Sequence, residues 1–132
     1  NRVKSTANIE RSIDTSGILT MEYSGFRAVS IAAKDCAAPA RYVIQGTKGY
    51  ILQKSTANFC GGVTFHPNEG KEEHYNLNGG RPRQAAEFEA FARALEGGDQ
   101  ELCTRMQDTS IAVSRVLTVA RRNAGIRFPG DN

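Results

Sequence analysis

Two histidines and three glutamates lie close together in this chain, His66, Glu69, Glu72, Glu73 and His74, and two imidazoles with a carboxylate could in principle hold a metal ion. Turn formers Pro67, Asn68, Glu69 and Gly70 separate the two histidines, so the segment reads as a hairpin. With Asn68-Glu69 as its centre, His66 falls opposite Lys71 and His74 opposite Val63. The imidazoles then stand about three residue steps, or roughly 10 Å, apart, and no metal is expected. The second chemical candidate is Cys60, followed by Gly61 and Gly62. A catalytic thiolate needs a base and an orienting third group, and neither is near in sequence. Cys36, Cys60 and Cys103 are widely spaced and odd in number, without a Cys-x-x-Cys pair. They predict small buried or half-buried thiols in a reducing cytoplasm, not a disulfide framework.

Cofactor loops are equally wanting. A dinucleotide fingerprint needs Gly-x-Gly-x-x-Gly after a strand, and no two glycines here are two apart. A P-loop needs Gly-Lys followed by Ser or Thr, whereas Gly70-Lys71 leads into Glu72. No catalytic residue and no cofactor-binding residue is therefore assigned within the chain.

The elements that would position such groups are legible from periodicity. Ile18 to Tyr23 alternates as a half-buried strand, Phe26 to Ala33 follows it after Ser24-Gly25, and Val3 to Ile9 reads as an edge strand. Arg41 to Gln45 and Tyr50 to Gln53 flank Gly46-Thr47-Lys48-Gly49, and Gly62 to His66 and Glu72 to Leu77 form the last pair. After Gly79-Gly80 the period lengthens to about 3.6. Phe88, Phe91, Ala92 and Leu95 form one helical stripe, expected to be core. Asp99 caps a second helix whose stripe runs through Leu102, Met106, Thr109, Val113, Val116, Leu117 and Ala120, and Gly125 ends it. Strands followed by helices predict an α+β domain, a mostly antiparallel open sheet with two C-terminal helices packed on one face.

The 132 residues fit one domain, 1–132. A hydrophobic share of 39% and a charged share of 23% are ordinary for soluble proteins, and no apolar run is long enough to span a bilayer. The net charge of +3 comes from scattered basic residues, several with helical partners four positions away (Glu89 with Arg93, Glu101 with Arg105), so neither nucleic acid nor membrane is an expected partner. The chain opens at Asn1 without a secretory signal or an initiating methionine, as if cut from a longer protein.

Four passages, in order, resemble the C-terminal domain of the Gfo/Idh/MocA family, the glucose-fructose oxidoreductase and inositol dehydrogenase group. Residues 18–26 (ILTMEYSGF) are similar to its strand, turn and strand; residues 42–51 (YVIQGTKGYI) to its glycine turn; residues 86–91 (AEFEAF) to the helix after the sheet; and 113–127, with Asn123-Ala124-Gly125, to the final helix and its exit. The resemblance implies a parent enzyme that moves hydride between NAD or NADP and a sugar, cyclitol or related alcohol. It also implies an N-terminal dinucleotide-binding domain absent from this chain, while this C-terminal domain would line the substrate pocket, build oligomers and be inactive by itself. The family's Glu-Lys-Pro-like segment and Asp-x-x-x-His pair have no match here, since Gly62 and Gly70 stand four residues before His66 and His74.

Two further expectations follow. The resemblance places the loop after the second strand, with Lys34 and Asp35, on the substrate side. A homo-oligomer face is expected around Ala28, Val29 and Ile31, because both sides of Phe26 to Ala33 are apolar and helices can cover only one. The alternative is a stand-alone α+β interaction module without activity.

Overall fold

A computed structural model describes residues 2–56 and 58–131. The α+β class is as expected: strands come first and both helices lie at the C-terminal end. The strands divide into two antiparallel sheets in place of a single one, with residues 35–41 after the third strand belonging to neither. With the helices, the sheets form two compact units, 1–37 with 98–132, and 38–97.

In the first unit β1 (Arg2–Glu10), β2 (Ile13–Tyr23) and β3 (Phe26–Ala33) form a sheet in that order. The β1–β2 turn is made by Arg11 and Ser12, both at positive φ (49° and 67°). That is the backbone usually supplied by Asn-Gly, and without those residue types the turn is invisible to sequence patterns. Three rows cross the sheet on one side: Val3–Met21–Ala28, Ser5–Leu19–Ser30 and Ala7–Gly17–Ala32. The alternating rows are Arg2–Glu22–Arg27, Lys4–Thr20–Val29 and Thr6–Ile18–Ile31. Period-two alternation puts the two sets on opposite faces.

Helix α2 (Gln100–Asn123) packs against β1, and the Asn123 side-chain amide donates to the Val3 carbonyl at 2.9 Å. Asp99 caps it as expected, accepting from the Leu102 amide at 2.9 Å. Its exit is a Schellman motif. Ile126 N–H reaches the Arg121 carbonyl and Gly125 N–H the Arg122 carbonyl, with Gly125 at φ 81°.

The second unit pairs β4 (Tyr42–Gly46), β5 (Gly49–Gln53), β6 (Val63–Pro67) and β7 (Glu73–Tyr75) in sequence order and carries α1 (Ala85–Glu96). Three expectations change here. The α1 stripe is not core: Phe88, Phe91 and Leu95 are exposed, and Ala94 is the helix's buried residue. Glu89 pairs with Arg81 at 3.1 Å and not with Arg93, whereas Glu101 and Arg105 do pair at 3.6 Å. Cys36 and Cys60 are exposed in loops, with only Cys103 half-buried, because loop backbone has no apolar layer to receive them. Among the described residues only Ala94 and Ala120 are buried hydrophobics, so most apolar side chains on sheets and helices retain solvent contact.

Candidate functional site

Where α2 crosses the first sheet, small residues stand between the larger Leu19 and Met21 on the sheet side facing it, and the separation they leave is a groove. Ser5, Ala7, Gly17, Leu19, Ser30 and Ala32 form its floor; Leu117 and Ala120 of α2, with Ala124 just past the helix, form its roof. Gly17 is needed there for a local reason, since a Cβ at that position would stand 2.7 Å from the Thr6 carbonyl oxygen. The groove encloses about 530 Å³, within the range of small-molecule sites, which run from about 300 to 1,000 Å³.

Lys34 stands at one edge. Its backbone N–H donates to the Thr15 carbonyl at 2.6 Å, which extends the β2–β3 ladder one step and aims the side chain at Asp14, with Nζ 2.9 Å from Asp14 Oδ1. The Lys34 hydrogen bond holds the Asp14 carboxyl below its usual range. Both partners are largely solvent-exposed, so the pair adds little stability. Its chemistry matters more: an ammonium donor and a carboxylate acceptor side by side suit a hydroxyl that both donates and accepts. Asp35 is exposed and does not line the groove. Sequence reasoning missed Asp14, Ser5 and Ser30, whose convergence depends on cross-strand register and not on spacing.

Ile126 and Phe128 also wall the groove. Arg121 holds Asp131 through both guanidinium nitrogens, one at 2.8 Å, and Arg122 reaches the same carboxylate at 3.0 Å. The Phe128 N–H adds a third kind of donor at 2.8 Å. Hydrogen bonds from Arg121, then from Phe128 and Arg122, hold the Asp131 carboxyl far below the ordinary carboxylate range. The Arg121 guanidinium also lies 4.0 Å above the Phe128 ring. Pro129-Gly130-Asp131 after a double arginine was the available signal for this cluster.

The histidine pair in the second unit differs from its expected geometry. His74 lies opposite Thr64, one step from the expected register, which puts both imidazoles on one face. Glu72 bridges them, 3.2 Å from His66 Nδ1 and 3.4 Å from His74 Nε2, while His66 stacks on Tyr50 with ring centroids 4.5 Å apart. In place of a tight two-residue turn, residues 68–72 connect β6 to β7, anchored by Asn68 on Thr47 and Lys48, and the register shifts by one. Among the described residues no group of three or more His, Cys, Asp or Glu is placed to hold a metal ion.

Of the residues expected at an oligomer face, Val29 and Ile31 lie on the sheet side turned away from the groove, beside Ile18, and are 62% and 75% exposed. Ala28 shares the groove side with Ser30 and Ala32. Among the described residues, no helix is long and apolar enough to cross a membrane.

No family model matches the chain. It is similar to scyllo-inositol 2-dehydrogenase (NADP(+)) IolU of Bacillus subtilis, 25% identical over 119 residues. The match takes in 90% of this chain, which spans only about a third (36%) of that relative's length.

Proposed function

We propose that the chain is the C-terminal substrate-lining and assembly domain of an NAD(P)-dependent oxidoreductase of the Gfo/Idh/MocA type, acting on a sugar, cyclitol or related alcohol and inactive by itself. One observation carries the reading: similarity to an inositol dehydrogenase runs through nine-tenths of this chain while spanning about a third of the relative. The order of the four family-like passages supports it independently. Nothing among the described residues suits a dinucleotide, because the chain has neither a Gly-x-Gly turn nor a phosphate-cradling Gly-Lys-Ser/Thr loop. Hydride chemistry would come from NAD or NADP on the parent's own N-terminal domain, in the cytoplasm.

The groove supplies what remains. Lys34 and Asp14 offer a donor and an acceptor to a polyol, Ser5 and Ser30 offer hydroxyls, and Leu117 with Ile126 offers an apolar side for ring C–H groups. Binding and orientation are this domain's contributions to the reaction. Val29 and Ile31 on the opposite face would meet a second copy.

Calorimetric titration of the chain with NAD and with NADP is expected to give no saturable binding, and micromolar affinity for either would overturn the reading. In the parent enzyme, Lys34→Ala is expected to raise KM for the alcohol about tenfold, in line with the loss of one charge-assisted hydrogen bond. An unchanged KM would remove Lys34 from the substrate site.

A further inference from the structure

We propose that residues 127–131 form a latched strap, hinged at Gly125 and Ile126, that covers the groove beside Phe128 and opens as a unit when Asp131 releases the two arginines. The local sequence builds each part. Gly125, at φ 81°, reverses the chain out of α2 and fixes Ile126 by the Schellman bond to Arg121. Pro129 and Gly130 (φ 95°) then form a turn closed by the Asp131 N–H on the Phe128 carbonyl at 3.0 Å, the residue order of a type II turn. That turn carries the Asp131 carboxylate back to Arg121, Arg122 and the Phe128 amide.

Beyond Ile126, among the described residues, every hydrogen bond from the strap to α2 ends on Asp131. The other tether is the Phe128 ring on the Arg121 guanidinium. Ile126 itself stays on Arg121, whose guanidinium donates to its carbonyl at 3.0 Å while its own N–H donates to the Arg121 carbonyl; beyond that hinge, a segment latched at Asp131 and steadied by the Phe128 ring opens in one step, as low-stability cooperative units do. Asp131 is sequestered enough for its hydrogen bonds to count, its side chain being 10% exposed. Arg121 belongs to both structures: it lines the groove and holds the latch. Release of Asp131 therefore frees Phe128, uncovers the groove on its side and gives a ligand its way in. That consequence rests on the groove being the substrate-lining site; the latch itself does not.

Backbone hydrogen exchange on the whole chain tests it without any ligand. In Asp131→Asn, peptides from 127–131 are expected to exchange at least about tenfold faster, while β1, β2 and β3 keep their protection. Arg122→Gln removes one tether without touching the groove wall, and a smaller increase in the same peptides is expected. Unchanged strap exchange in both variants would overturn the proposal. So would loss of protection in the three strands together with the strap, which would make Asp131 a prop of the whole unit. A cyclitol titration followed by NMR separates the two ideas. If no cyclitol shifts the groove resonances but the strap opens as stated, only the substrate-lining reading falls. If cyclitols bind and Asp131→Asn leaves the strap closed, only the strap falls.

Discussion

Replacing Val29 and Ile31 together by arginine is expected to leave a 14.4 kDa monomer under conditions where the unaltered chain self-associates. The two side chains stand on neighbouring positions of one sheet face, each more than half exposed, with Ile18 paired to Ile31 across the strand. Fully burying an aliphatic side chain of this size stabilises by about 1.5–3 kcal/mol. A two-fold contact repeats each residue on both copies, so four aliphatic side chains leave the interface and four guanidiniums enter it. Desolvating unpaired charges there costs several kcal/mol more, enough to abolish a contact of ordinary size. Light scattering behind size-exclusion chromatography reads the mass directly. Ala28→Arg is a contrasting variant, since Ala28 lies on the groove side of the sheet. An unaltered chain that is monomeric at high micromolar concentration, or a double variant that still associates, would reject this face.

Gly49→Ala is expected to destabilise the second unit by about 3 kcal/mol or more, the range of backbone-strain and overpacking substitutions. Gly49 closes the two-residue loop Thr47-Lys48 opposite Gly46 and has φ 143°, where side chains are disfavoured. Space is the larger obstacle. An added Cβ would stand 2.3 Å from the His66 carbonyl oxygen and 2.8 Å from Pro67 Cα, both backbone atoms of the neighbouring strand, so β5 and β6 would have to separate. Gly46 provides the control, because the nearest atom to its added Cβ is 3.7 Å away and its φ is not positive. Gly46→Ala is therefore expected to change stability by well under about 1 kcal/mol. Urea unfolding of the two variants compares them, and equal midpoints would contradict this account of the turn.

Local patterns carried most of the fold. The alternation in Ile18 to Tyr23, the Ser24-Gly25 reversal and the Gly46 to Gly49 turn all correspond to observed strands and turns, as does the change of period after Gly80. What failed were features decided by partners distant in sequence. Asp14, Thr15, Ser16 and Gly17 lack a strand's usual composition, yet β2 extends through them because β1 and β3 pair with them on both sides. The α1 stripe has helical spacing, but spacing does not specify which surface covers it, and here Phe88 and Leu95 face solvent. The site divides the same way. Lys34 was legible as a charged loop residue after a strand, whereas its partner Asp14 is 20 positions away and became visible only through the ladder between β2 and β3.

The central claim is that this chain is one part of a two-domain dehydrogenase, and peptide sequencing of the native protein by mass spectrometry tests it most directly. Peptides preceding Asn1 are expected to include a glycine-rich strand-turn-helix and, further on, a Glu-Lys-Pro-like segment, in a product far heavier than 14.4 kDa. A native product of 14.4 kDa, with translation starting immediately before Asn1, would contradict the account and leave an α+β interaction module in its place.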